Sequence, residues 1–326
     1  GLRLVDWQVL LLYAVDQIEI SETVWFATEA PVDTIVRQLE IGPSVKSLAY
    51  KLSDLRDADR SDPGTRQRQT LGSADKATTL ALIGSGDRAS LRRHDDGLWL
   101  HLAPRAQSTT VTLAASRGVA SRAQEFADWL GGYEPGDQIA RLRRSGPRRW
   151  GAPLSTEVQQ AAATDQAYVL DEIGLPFDNP HQALLFISSL DFFDDGRAAL
   201  CTAHGDVWVV RFSKPPRQEA IWQRFATGLY QPLGIQVVDG QIVVLGRDQL
   251  TRLHDENGDG EADYYESFNN DLEVFGQDHA FAMRLERDPD GNFYFLKSGA
   301  APHGSALYRL SPDGAILERY ATGFRH

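Results

Sequence analysis

Residues Asp255 to Glu266 carry the most specific chemical pattern in the chain. With Asp255 as position 1, side chains with oxygen atoms occupy positions 1, 3, 5, 9 and 12, which are Asp255, Asn257, Asp259, Asp263 and Glu266. Gly260 stands at position 6, and the backbone carbonyl of Glu261 is available at position 7. One contiguous loop with this spacing can supply the roughly six to eight hard oxygen ligands that Ca²⁺ prefers. The alternative is an acidic hairpin turn that holds no ion. Its crowded carboxylates would repel one another, so the pattern favours calcium.

His279 is the candidate general base. It follows Asp278 and opens a predicted strand, Ala280 to Leu285. A neutral imidazole at such a position can accept the proton of a substrate hydroxyl. The alternative is a structural histidine hydrogen-bonded to Asp278, and the residues taken alone favour that alternative.

Arg247 and Asp248 are candidate cofactor contacts because they directly follow the apolar run Ile242 to Gly246. Adjacent opposite charges at a strand end usually form an exposed pair of little energetic value. The sequence shows no Ser/His/Asp order, phosphate-binding glycine loop or Cys-x-x-Cys-His haem motif. The residues alone therefore do not predict an enzyme.

From about Ala167 onward, short apolar strands alternate with Asp-Gly turns. The turns are Asp195-Gly196, Asp239-Gly240, Asp290-Gly291 and Asp313-Gly314. Asp-Gly between apolar runs predicts hairpins because glycine accepts the positive φ of tight turns. The phrase that begins at Ala226 recurs at Ala321, an offset of 95 positions (321 − 226). Half of this offset is about the length of one four-stranded propeller blade.

The segment 167–326 is therefore predicted to form about three blades of a β-propeller. Propellers close with about four to eight blades, so this propeller would be incomplete. Either the missing blades lie beyond His326, which we expect, or the N-terminal domain shields the open edge.

The first half, residues 1–150, is predicted to form an antiparallel β-sandwich with one helix at about 121–130. Val9 to Val15 is an apolar run, and Leu98, Leu100 and Leu102 alternate with more polar neighbours, as in half-buried strands. Gly131-Gly132 is the predicted helix stop. Residues 151–166 are predicted to be a linker.

Composition narrows the range of partners. The 326 residues carry a formal net charge of −12, which opposes binding to a phosphate backbone. The local run of Arg141, Arg143, Arg144, Arg148 and Arg149 is interpreted as part of a solvated linker. No apolar stretch approaches the roughly 20 residues that cross a bilayer. Cys201, the single cysteine, lies in an apolar stretch and is predicted to be a buried thiol.

Several phrases resemble a family of large exported proteins of planctomycetes and their relatives. They are Pro176-Phe177-Asp178-Asn179-Pro180, Asp191-Phe192-Phe193, Gly205-Asp206-Val207-Trp208 and Gly228 to Gly234, together with the calcium-like loop. In that family a β-sandwich of unknown function precedes a propeller, and many members end in a c-type cytochrome. The resemblance implies export to the periplasm or cell surface. It spans essentially the whole chain and is more specific after Ala167.

The propeller in turn is similar to the soluble quinoprotein sugar dehydrogenases, which use pyrroloquinoline quinone and calcium. Asp278-His279, Pro289-Asp290-Gly291 and Phe293-Tyr294-Phe295 match the phrase that carries their general base. By this resemblance His279 is the base and Arg325 contacts the quinone. The Asp255 loop, however, does not correspond to the calcium site of those enzymes.

Two catalytic or binding functions remain open, beside a third interpretation as a purely architectural segment of a surface assembly. The first is part of an exported quinoprotein-like oxidoreductase acting on a sugar or related alcohol, with a cytochrome c domain as a possible electron acceptor. The alternative is a non-catalytic propeller and sandwich that bind glycans or a protein partner.

Overall fold

A computed structural model of the protein describes residues 1–5, 7–54, 65, 67–71, 77–84, 88–118, 122–160, 167–213, 218–274, 280–299 and 305–324. The chain divides into two units, Gly1–Gly146 and Pro147–His326. The described part is all-β, as the sequence predicts, with several sheets and two short helices. Within it, no helix has the length and apolar character needed to cross a membrane.

The first unit contains two antiparallel sheets around a shared core. Its strands are β1 (Leu2–Val5), β2 (Gln8–Val15), β3 (Ile18–Phe26), β4 (Thr34–Ile41), β5 (Leu48–Ser53), β6 (Arg68–Leu71), β7 (Ala77–Ile83), β8 (Ala89–His94), β9 (Gly97–Leu102) and β10 (Thr109–Gly118). One sheet has the order β1-β2-β3-β4-β10-β7-β6, and the other has the order β5-β9-β8. Leu39 and Val111 of the first sheet and Leu98 and Leu100 of the second are buried in the same hydrophobic cluster. The alternation predicted around Leu98 is thus confirmed in β9.

The helix predicted at 121–130 is present with shifted bounds, as α1 (Ala123–Gly132), and a shorter helix α2 (Gln138–Leu142) follows. Gly131 and Gly132 are the last helical residues, so the helix ends at the predicted glycine pair, two residues after the predicted bound. Tyr133 leaves the helix in an extended conformation, and its ring centroid lies 4.3 Å from that of Trp129. Aromatic packing thus accompanies the helix end, in place of a left-handed glycine.

The second unit contains three antiparallel meanders. Its strands are β11 (Leu154–Gln159), β12 (Glu172–Ile173), β13 (Ile187–Phe192), β14 (Ala198–Thr202), β15 (Val207–Phe212), β16 (Glu219–Ala226), β17 (Gly234–Val238), β18 (Gln241–Leu245), β19 (Leu250–His254), β20 (Tyr264–Asn269), β21 (Ala282–Arg287), β22 (Phe293–Lys297), β23 (Ser305–Leu310) and β24 (Leu317–Phe324). Strands β13–β16, β17–β20 and β21–β24 each form a meander in chain order. β11 and β12 extend the first meander beyond β16.

Strand β11 lies in the segment 151–166, which the sequence predicts to be a linker. It pairs with β16, where Leu154 is opposite Trp222. Leu154 and Val158 pack against the buried cluster that contains Trp222. Burial of these two apolar side chains stabilises a strand in place of a free connection.

The four predicted Asp-Gly turns each join consecutive antiparallel strands, as expected. Their glycines adopt positive φ angles of 86° at Gly196, 78° at Gly240, 90° at Gly291 and 75° at Gly314. The repeated phrase also falls at equivalent places, because Ala226 ends β16 and Ala321 lies in β24. These are the fourth strands of the first and third meanders, two meanders apart.

The first strands of the three meanders are neighbours. β17 contacts both β13 and β21. The Val237 amide donates to Asp191 Oδ2 at 2.7 Å, and Gln236 Nε2 donates to the Leu285 carbonyl at 2.9 Å. The strand connections of the three meanders are therefore gathered at the two ends of these neighbouring strands.

Candidate functional site

Successive connections of a meander lie at alternate ends of its sheet. In the second meander, residues 246–249 join β18 to β19, and residues 255–263 join β19 to β20. The predicted cofactor residues Arg247 and Asp248 and the predicted calcium loop therefore lie at opposite ends of this sheet.

Arg247 is buried, contrary to the expectation of an exposed ion pair. Only 8% of the residue is exposed. Its Nη1 donates to Gln231 Oε1 at 2.8 Å, and its Cζ lies 5.1 Å from the ring centroid of Phe281. Its backbone amide donates to the Tyr230 carbonyl at 2.8 Å. These contacts link three connections between strands, those from β16 to β17, from β18 to β19 and from β20 to β21. All three lie at the same end of the meanders.

Lys297 ends β22 at this same end and is only 4% exposed. Its Nζ donates to the backbone carbonyl of Glu273. Burial lowers the pKa of Lys297, the positive charge of Arg247 lowers this pKa further, and the charge of Glu273 opposes both effects. The two cations are therefore close enough to affect each other electrostatically.

Two polar residues complete what we name the Arg247–Lys297 cluster. Ser298 Oγ accepts the backbone amide of Phe281 at 2.9 Å, and burial raises the pKa of the Asp248 carboxyl. The cluster comprises Gln231, Arg247, Asp248, Phe281, Lys297 and Ser298. A guanidinium and an ammonium at the same end of the strands can bind the anionic groups of a ligand through charge-assisted hydrogen bonds.

His279 and Arg325 lie outside the described residues. The nearest described aromatic residue after His279 is Phe281, which packs over Arg247 in the cluster. The roles that the resemblance implies for His279 and Arg325 remain predictions.

In the predicted calcium loop, the carboxylate of Asp255 organises the turn. Its Oδ1 accepts the amides of Gly258 at 2.8 Å and Asp259 at 3.1 Å, and its Oδ2 accepts the amide of Gly260 at 2.8 Å. Across the loop, Asp263 Oδ2 accepts the amide of Asn257 at 3.3 Å. The negative charge of these carboxylates is thus partly offset by backbone amides.

Asn257 and Asp259 sit between these two anchors. Asn257 Nδ2 donates to Asp259 Oδ2 at 3.1 Å, and Asp259 Oδ1 accepts the Glu261 amide at 3.0 Å. Among the residues that the structure describes, no three His, Cys, Asp or Glu side chains are arranged to hold a metal ion. Asp255 Oδ2 and Asp259 Oδ1 each accept one backbone amide, and each retains a second lone pair for a hard cation.

The Glu261 side chain points away from this loop. It is 2% exposed and accepts the backbone amides of Arg149 at 2.7 Å and Trp150 at 3.0 Å. Arg149 Nε lies 3.8 Å from the same carboxylate. The side chain of Arg149 is only 7% exposed, so the interpretation of this arginine as part of a solvated linker is wrong.

Glu266, the predicted ligand at position 12, lies on β20 opposite Arg252 of β19. Its Oε2 is 2.7 Å from His254 Nε2 and 3.4 Å from Arg252 Nη1. Its charge is therefore shared with basic groups of the neighbouring strand.

Lys297 was not singled out from the sequence, although a signal exists. Strand residues with period two share a face, and Phe293, Phe295 and Lys297 are all buried. A lysine in phase with two buried aromatic residues predicts a buried cation.

Comparison of the sequence with protein-family models gives no match, and a search of curated proteins finds none.

Proposed function

We propose that the second unit is part of an exported quinoprotein-like oxidoreductase that takes hydride from a sugar or related alcohol. The observation that carries the proposal is the Arg247–Lys297 cluster, two buried cations at one end of neighbouring strands. By the resemblance to quinoprotein sugar dehydrogenases, His279 is the base and Arg325 contacts the quinone, and Arg247 and Asp248 are the further candidate cofactor contacts.

The arrangement of the strands supports an incomplete propeller of three blades. Each meander supplies four antiparallel strands in chain order, and their first strands are adjacent, as in blades around a common axis. The first unit, with two sheets over one core, corresponds in this proposal to the β-sandwich.

The residues present fit a quinone that carries several carboxylates. Arg247 offers a planar guanidinium that suits a carboxylate, and Lys297 offers a point charge. When bound, such a quinone accepts the hydride and is reduced. In this proposal Arg247 and Lys297 hold and orient the anionic groups, with Arg325 as a further contact.

His279 is the proposed general base. A neutral imidazole accepts the proton of the substrate hydroxyl as the hydride leaves the adjacent carbon. Its position two residues before Phe281 links it along the chain to the cluster. Asp248 is a proposed polar contact in the same cluster.

Calcium is proposed to bind the loop of Asp255, Asn257, Asp259 and Asp263, with the backbone carbonyl of Glu261 and, as a less direct contributor, Glu266. This loop lies at the opposite end of the second meander from the cluster. Its proposed contribution is to the stability of the fold.

Reduction of a redox dye by the chain tests the oxidoreductase proposal. The assay supplies pyrroloquinoline quinone, calcium and a panel of aldoses and simple alcohols. We expect turnover with at least one sugar that His279→Gln abolishes and Arg319→Gln, an exposed control on β24, preserves. If the chain binds the quinone but shows no turnover, the proposed catalytic role of His279 is wrong. If the chain binds a glycan saturably and shows neither quinone binding nor turnover, the non-catalytic alternative is favoured.

A further inference from the structure

A cleft of about 590 Å³ opens between the first and second meanders. Its volume is within the range of small-molecule sites, about 300 to 1,000 Å³. Gly240, Asp255 and Gly260 line it, so it lies at the calcium-loop end of the sheet. It is separate from the Arg247–Lys297 cluster.

The cleft has two well-defined walls. One wall is a face of the first meander, where Arg211 of β15 pairs with Ile221 of β16. The opposite wall contains Ile242 of β18 and its pairing partner Leu253 of β19. The apolar parts of both walls are therefore held in fixed register by strand pairing.

Three guanidinium groups line this cleft, those of Arg148, Arg197 and Arg211. Ala198 pairs with Val210, so Arg197 and Arg211 occupy the next positions on neighbouring strands. Like charges at such positions repel each other. Arg197 is paired with Asp195 at 2.8 Å, whereas exposed Arg211 has no ion pair among the described residues.

Polar acceptors that reach the cleft come from the second meander. Gln241 and Glu256 line the cleft and are exposed. Their side-chain oxygens can accept hydrogen bonds from ligand hydroxyls.

We propose that this cleft binds an acidic saccharide, with the carboxylate or sulfate group held by Arg197 and Arg211. Guanidinium groups recognise both anions through paired hydrogen bonds. Gln241 and Glu256 accept sugar hydroxyls, and half-buried Ile221 contacts the apolar face of a sugar ring.

The lining favours a saccharide over a nucleotide. Phe193 and Phe225 are each 9% exposed, and Arg197 Cζ lies 4.3 Å from the Phe193 ring centroid. Neither ring offers the open face on which a base stacks. Asp255 and Glu256 line another part of the cleft, which favours a ligand with one acidic group and a neutral, hydroxylated remainder.

Isothermal titration calorimetry of the whole chain tests this site. The probes are a disaccharide containing one glucuronic acid, its neutral methyl ester, sodium sulfate and adenosine monophosphate. We expect saturable binding of the acid and a Kd at least about tenfold weaker for the ester, as for one lost charge-assisted hydrogen bond. Arg211→Gln should weaken binding of the acid by a similar factor, and Arg319→Gln should leave it unchanged.

Several results would overturn the proposal. The proposal fails if the acidic disaccharide does not bind saturably or if the acid and its ester bind with equal affinity. It also fails if adenosine monophosphate binds more tightly than the acid, or if sulfate binds and the acid does not. Equal weakening by Arg319→Gln would show a nonspecific charge effect and would also overturn it. The comparison of acid with ester uses the unmodified chain, so the test holds even if Arg211→Gln impairs folding.

Discussion

Glu261 Oε2 accepts the backbone amide of Arg149 at 2.7 Å, and the Arg149 guanidinium lies 3.8 Å from the same carboxylate. Both side chains are buried. Arg149 Nη2 also donates to the Ala262 carbonyl at 2.6 Å. The contact therefore fixes the segment before β11 to the loop between β19 and β20.

Glu261→Ala should destabilise the fold by about 3 to 5 kcal/mol, because it removes the counter-ion of the buried Arg149 side chain and the acceptor of two backbone amides. Urea unfolding followed by tryptophan fluorescence measures the change. Glu157→Ala, at an exposed position of β11, is the matched control and should change the free energy of unfolding by less than about 0.5 kcal/mol. A loss of under 1 kcal/mol for Glu261→Ala would show that this ion pair contributes little.

Calcium should raise the thermal midpoint of unfolding. An ion at about 100 times its Kd adds roughly 2.7 kcal/mol when it binds only the folded state. Asp259→Ala should remove most of this shift, because it deletes the oxygen ligand at position 5 of the loop. Scanning calorimetry in calcium and in chelator measures the effect.

The control for calcium is Asp239→Ala, in an ordinary Asp-Gly turn of the same meander. It should retain the full calcium-dependent shift. The calcium proposal is contradicted if chelator leaves the unfolding curve of the unmodified protein unchanged.

The sequence predicts the local turns and strands well because these depend on neighbouring residues. Asp239-Gly240 and Asp290-Gly291 form the expected hairpin turns, since glycine adopts positive φ without strain and aspartate tolerates it, as Asp239 does with φ 51°. Leu98 and Leu100 are fully buried, as their alternation predicts.

Contacts between distant residues explain what the sequence missed. Nothing near Arg149 reveals that Glu261, 112 positions away, neutralises it in the folded chain. Arg247 likewise resembles a surface residue until Phe281 and Lys297 are brought beside it by the third meander. The partners of Arg149 and Arg247 come close only in the tertiary fold, so the local charge pattern does not reveal that these arginines are buried.

Cys201 should be almost unreactive in the folded protein. The residue is fully buried, and burial raises the pKa of its thiol to about 11. At pH 8 only about one thiol in a thousand would be ionised, and the thiolate is the reactive form. Iodoacetamide should therefore label the folded chain far more slowly than the urea-unfolded chain. Equal rates in the two states would contradict the buried position of Cys201.

Anion binding at the Arg247–Lys297 cluster should weaken at alkaline pH. The pKa of Lys297 is lowered mainly by burial, so the ammonium loses its proton at a lower pH than an ordinary lysine. Affinity for an anionic quinone should fall as pH rises through this pKa, and Lys297→Met should remove that dependence. Measurement of Kd from pH 7 to pH 10 checks it. An unchanged pH profile in the variant would exclude Lys297 as the titrating group.

The most direct test of the proposed function is an equilibrium titration of the chain with pyrroloquinoline quinone, followed by quenching of tryptophan fluorescence at pH 7. We predict saturable binding, with Kd weakened about tenfold or more by Arg247→Gln and by Lys297→Met, since each removes a charge-assisted contact. Arg319→Gln should bind like the unmodified chain. The account is contradicted if the quinone does not bind saturably, or if it binds equally well to both cluster variants.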